Sequence, residues 1–131
     1  MTTPVALLYY DQLVAGAQVA NHLQDMGYRV LTIASPRQAV EQAVQNRALI
    51  FIGNLSAPVS PVASAVLSLK ASPETAHIPV LLFIPAGEPK LDAPARALGV
   101  KLVASDAGIP QQLPQLLDQA LSLDSEDREH R

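Results

Sequence analysis

Apolar residues along this chain follow two rhythms. Short unbroken runs, Val5–Tyr10, Ala48–Ile52 and Val80–Ile84, have the length of strands covered on both faces. Between them the spacing turns helical. Leu13, Ala17, Ala20 and Leu23 share one side of a helix over Gln12–Met26, and Ala39, Val40, Ala43 and Val44 stripe a second that ends near Asn46. Val62, Val66 and Leu69 mark a third over Val62–Lys70. Arg29–Ile33 and Lys101–Ala104 read as two more short strands, and Asp92–Leu98 as a short helix. Leu113, Leu116, Leu117, Ala120 and Leu121 give the stripe of a last helix that ends near Leu123.

Turn and cap residues agree with these boundaries. Gly27 sits where a helix C-cap belongs, and Gly99 closes the short helix. Ser35-Pro36 and Ser60-Pro61 each place a hydroxyl at the N-cap and a proline at the first helical position. Pro114 requires the last helix to begin near Leu113, or to start at Pro110 with a distorted first turn, and Pro94 poses the same choice one helix earlier. Five strand–helix units in succession predict an α/β fold with one open parallel sheet and helices on both faces. The most apolar run, Val80–Ile84, belongs inside that sheet. A single domain spans residues 1–123, with a polar, mixed-charge tail at 124–131. Ligands of such sheets bind beyond the carboxyl ends of the strands. The places to search are therefore Tyr10-Asp11, Ala34-Ser35, Gly53-Asn54, Pro85-Ala86 and Ser105-Asp106.

Composition narrows the chemistry. The 131 residues are 49% hydrophobic, which argues against disorder. Nine basic against twelve acidic residues give a net charge of −3, without the basic excess a nucleic-acid binder needs. The basic side chains Arg37, Arg47, Lys70, Lys90, Arg96 and Lys101 are scattered and read as solvated surface. No cysteine is present, so disulfides, thiolate metal sites and cysteine nucleophiles are excluded. With no Trp, two Phe and three Tyr, aromatic stacking platforms are not expected. No apolar run approaches the roughly 20 residues of a membrane-spanning helix, and the start of the chain lacks a secretory pattern. A cytoplasmic protein with no membrane partner is the expectation.

Ser35, Ser56, Ser60 and Ser105 lie near strand ends, but a hydrolase would need a histidine and an acid beside one of them. His22 falls inside the first helix, His77 in a connector at the opposite end of the sheet, and His130 in the tail. No Gly-x-Gly-x-x-Gly or phosphate-loop pattern occurs, and Gly53 and Gly87 read as turn residues. Tyr9 and Tyr10 point to opposite faces and read as core packing. No catalytic residue, metal or cofactor is expected.

Four segments together carry a family resemblance. Met26-Gly27-Tyr28-Arg29-Val30, Asn54-Leu55-Ser56-Ala57-Pro58, Ile78-Pro79-Val80 and Ala97-Leu98-Gly99-Val100 occur in the order and spacing of receiver domains of two-component response regulators. Over about Pro4 to Leu123 the chain resembles that family, which implies a flavodoxin-like three-layer α/β/α sandwich with five parallel strands in the order 2-1-3-4-5. The family forms an aspartyl-phosphate. Two acids after strand one and the phosphoacceptor Asp after strand three bind Mg²⁺, and a Thr or Ser after strand four and a Lys after strand five contact the phosphoryl group.

Matched position by position, this chain departs from that set. Tyr10-Asp11 stands at the acidic pair, so one carboxylate remains. The phosphoacceptor matches Asn54, with Pro58 four residues on as in the motif, or Gly53 if the register slips by one. Ile84 stands at the hydroxyl position and Asp106 at the lysine. Alone, Asp11 also reads as a helix N-cap and Asp106 as a turn residue before Gly108. The resemblance thus implies a degenerate member, a pseudo-receiver, which signals or scaffolds through a protein partner or a homodimer.

The apolar breadth of the first and third helices, with Val14, Ala15, Val19 and Ala20 on one and Ala63, Ala65, Val66 and Leu67 on the other, points to exposed interface surface. In the family, the face of helix four, strand five and helix five mediates dimers and docking. Here it would include Ala93, Ala97, Val100 and Leu102. The alternative is a ligand-sensing domain whose strand-end crevice takes an uncharged or aromatic molecule at Tyr10, Asn54 and Ala86.

Overall fold

The computed structural model describes residues 4–10, 13–57, 60–100, 102–105 and 112–121; for residues 13–15 it describes the backbone only. The elements are β1 (Val5–Tyr9), α1 (Leu13–Asp25), β2 (Arg29–Thr32), α2 (Gln38–Asn46), β3 (Ile50–Asn54), α3 (Pro61–Ala71), β4 (Val80–Ile84), α4 (Asp92–Ala97), preceded by a 3₁₀ turn at Pro89–Leu91, and β5 (Leu102–Ser105). A last helix, α5, covers 112–121, with Pro114 two residues beyond the first of these. All strand pairs are parallel and the order is β2-β1-β3-β4-β5.

The unbroken apolar runs are explained by burial on both sides of the sheet. Successive residues of a strand point to opposite faces, so each inner strand feeds two cores. Val5, Leu7 and Tyr9 of β1, Phe51 of β3 and Val80, Leu82 and Ile84 of β4 join α2, α3 and α4 on one side. Ala6 and Leu8, Ile50 and Ile52, and Leu81 and Phe83 join α1 and α5 on the other. Each fully buried Leu or Phe in these layers contributes about 1.5–3 kcal/mol relative to exposure. The edge strands are less buried: Arg29 and Thr32 of β2 and Ser105 of β5 are exposed.

Several element ends differ from the sequence expectation by a residue or two, and three differences have a clear local reason. The helix expected to start at Ser35-Pro36 begins at Gln38 instead, because residues 35–37 form a turn closed by the Gln38 amide donating to the Ser35 carbonyl (3.2 Å). The Gln38 side chain then accepts from the Ala34 amide at 2.7 Å. Strand β3 starts two residues later than the apolar run. Arg47 adopts a left-handed conformation (φ 53°), its amide donates to Val44, and the Ala48 amide reaches the Ala43 carbonyl at 3.0 Å. This Schellman closure uses up Ala48 before pairing can begin. Finally, Gly53 is a strand residue and not a turn residue. A Cβ there would come within 2.9 Å of Val62 and 3.0 Å of the Tyr9 carbonyl oxygen, so glycine lets α3 close onto β3.

Other signals appear as read. Ser60 caps α3, its hydroxyl accepting from the Ala63 amide (3.3 Å), with Pro61 at the first helical position. Gly27, Gly87 and Gly99 all have positive φ. The apolar breadth of α3 is mostly internal, since Ala63, Ala65 and Val66 are buried and Leu67 alone of the four is exposed. Val19 of α1 is also buried, and Ala20 is partly buried against the core. No described helix is long and apolar enough to cross a membrane.

Candidate functional site

The site sits at the carboxyl ends of β1, β3, β4 and β5, where strand pairing brings distant residues into one row. Tyr9 pairs with Gly53, Asn54 with Phe83, and Ile84 with Ser105. Tyr10 follows β1 directly and packs against the core shared with α1 and α5. Its ring lies over the first half of α1, where a Cβ on Gly16 would approach the Tyr10 Cβ to 2.9 Å. Asn54 ends β3, and strand alternation places it on the same face as Tyr10, with Gly53 on the other face against Val62. The chain leaves the sheet at Leu55, whose amide donates to the Phe83 carbonyl at 2.8 Å.

Two of the described side chains at this end, Asn54 and Ile84, have no ionisable group. Asn54 is 8% exposed, and its amide is neutral at every ordinary pH. Ile84, also 8% exposed, has its side chain in the core with α3 and α4. Of the five positions matched to the receiver chemistry, the structure brings Tyr10, Asn54 and Ile84 to one end of the sheet; Asp11 and Asp106 lie outside the described residues. Among the described residues no three His, Asp or Glu side chains gather as metal ligands. The two described histidines stand apart as well. His22 lies in the last turn of α1, and His77 lies in the α3–β4 connector at the amino end of the sheet.

On the expected docking face, Ala93 and Ala97 of α4 are exposed and Leu102 is half-buried against the core. Val100 is only 3% exposed and faces inward, so it offers no contact surface. An Arg96–Asp92 ion pair (2.9 Å) braces the exposed side of α4. Both residues are about half exposed, so screening limits its worth.

The sequence pattern did not mark the opposite end of the sheet. Val44, counted in the buried stripe of α2, is 39% exposed, and Leu49, counted within a strand, is 41% exposed. No glycine marks the end of α2; Arg47 occupies the helix-terminal place that glycine takes after α1 and α4.

No family model matches the chain, and no curated protein matches it at a significant level. Solved structures do match its fold. The chemotaxis response regulator CheY4 of Vibrio cholerae is 24% identical, with a TM-score of 0.77 over 92% of this chain and 100% of that one. The signal receiver domain of an HD domain-containing protein from Pseudomonas fluorescens is 20% identical, with a TM-score of 0.80 over 100% of this chain and 96% of that one. The receiver domain of a sensor histidine kinase from Pseudomonas aeruginosa, solved with magnesium in its active-site cleft, is 21% identical, with a TM-score of 0.79 over 92% and 99%. Five parallel strands in the order 2-1-3-4-5 between two helical layers thus give this chain the flavodoxin-like fold of receiver domains.

Proposed function

We propose that this chain is a pseudo-receiver, a two-component-type module that signals or scaffolds through protein contacts without being phosphorylated and catalyses no reaction of its own. The observation that carries this reading is Asn54, buried at the end of β3 in the place that the receiver resemblance gives to the phosphoacceptor. An amide is a poor nucleophile, whereas phosphoryl transfer in that family needs a carboxylate. Tyr10 in place of an acid removes one oxygen ligand for a hard divalent cation. Ile84 in place of a hydroxyl removes a hydrogen-bond donor to the phosphoryl oxygens, and Asp106 in place of lysine adds negative charge where charge neutralisation is required.

Without phosphate as the trigger, any switch in this module is a shift between conformations set by differential partner affinity. The exposed Ala93 and Ala97 on α4 are the proposed docking positions, whereas Leu102 packs on the other face of the sheet with α1 and α5. Small side chains there allow a partner helix to approach closely, and Ala97→Glu would block it. The direct test is incubation with acetyl phosphate and Mg²⁺ followed by intact-mass measurement. The expected result is an unchanged mass; a gain of one phosphoryl group overturns the reading.

A further inference from the structure

The connectors leading into β3 and β4 leave a half-open groove of about 520 Å³ at the amino end of the sheet. Val44, Leu49 and Ile78 supply apolar lining, and Arg47, Glu74 and His77 line it as well. Four large apolar side chains are exposed among the described residues, and two of them, Val44 and Leu49, meet here. Arg47 lies on the α2–β3 connector and Glu74 on the α3–β4 connector. Both are exposed, and neither takes part in an ion pair within the described residues.

The walls of the groove are fixed. The buried Thr75 hydroxyl donates to the Leu69 carbonyl at 2.7 Å, tying the connector that carries Glu74 and His77 back to α3. Across from it, the left-handed Arg47 ends α2. Non-glycine residues adopt that conformation at a cost, and the matching places after α1 and α4 are Gly27 and Gly99. A long cationic side chain is therefore held at a backbone position that would favour none.

We propose that this groove is a self-association surface whose occupant is a second copy of the same chain, related by a two-fold axis. An apolar floor flanked by one cation and one anion is its own electrostatic complement. Under two-fold rotation, Arg47 of each copy meets Glu74 of the other, and Val44 and Leu49 close on their counterparts. A strongly acidic or strongly basic partner would meet one like charge on this surface, which disfavours it. The groove lies at the opposite end of the sheet from Asn54, so the proposal stands whether or not that site takes phosphate.

Sedimentation velocity and light scattering of the full chain over a concentration series test this. The expected result is a concentration-dependent dimer, weakened at least about tenfold by Leu49→Glu or Val44→Glu. Circular dichroism checks that both variants remain folded. Arg47→Glu and Glu74→Arg each weaken association alone, whereas an equimolar mixture of these two single variants restores it through two opposite-charge contacts. A monomer at every concentration overturns the proposal. So does a dimer broken by Ala97→Glu but not by the groove variants, or a mixture that fails to recover.

Discussion

The two ends of the β-sheet have been treated in opposite ways. At the carboxyl end, where sheets of this kind bind their ligands, Asn54 and Ile84 are each 8% exposed and Tyr10 leans on Gly16. At the amino end, Leu49 is 41% exposed and Val44 39%, with the charges of Arg47 and Glu74 beside them. The difference teaches that the usual place for chemistry in a fold need not be where a given chain keeps its accessible groups. Among the described residues, Asn54 and Ile84 are packed as core, whereas Val44 and Leu49 are open to solvent.

The largest effect should come from the packed end. Phe83 is fully buried and pairs with Asn54, so Phe83→Ala should cost about 3–5 kcal/mol in denaturant unfolding. A loss under about 1 kcal/mol would mean that this end is looser than its burial implies. Gly53→Ala should cost about 1–3 kcal/mol, because its Cβ would press on Val62 and on the Tyr9 backbone, which cannot rotate away. No measurable loss would place α3 farther from β3.

A smaller effect belongs to the amino end. Tyr28, just before β2, has its phenol pKa raised first by burial and second by the negative charge of Asp118 on α5. The folded state therefore holds this proton more tightly than the unfolded chain does. The associated stability is present below the unfolded value of about 10 and is lost as pH rises through the folded value. Tyr28→Phe should flatten that alkaline decline in thermal melts, and parallel curves for both proteins would refute the coupling. The smallest effect is expected at the open groove, where Leu49→Ala should change monomer stability by only about 0.5 kcal/mol. A cost of several kcal/mol would show that the groove is a covered core.

How much was legible in the sequence follows from what each signal encodes. The doubly buried inner strands were plain because burial on both faces demands unbroken apolar runs, and β4 matches its run at both ends. Strand β3 shifted by two residues because a Schellman closure is a backbone event, and here it uses Arg47 and Ala48, which carry no glycine signal. Gly53 was mistaken for a turn because sequence shows that a side chain is missing but not which neighbour fills the space. Strand order and family resemblance pointed to the carboxyl-end positions, of which Tyr10, Asn54 and Ile84 lie at that end of the sheet. The amino-end groove was not found, because it is made by two connectors that are distant in sequence and adjacent only once β3 and β4 pair.

The central claim is that the carboxyl end lacks the groups to hold a divalent cation and accept phosphate. Its most direct measurement is a Mg²⁺ titration of the full chain followed through the backbone amide resonances of Gly53, Asn54 and Leu55. The account predicts no saturable shift at these residues at about millimolar Mg²⁺, the weak end of protein sites for hard divalent cations. A saturable shift centred on Asn54 at millimolar or lower Mg²⁺ would contradict it.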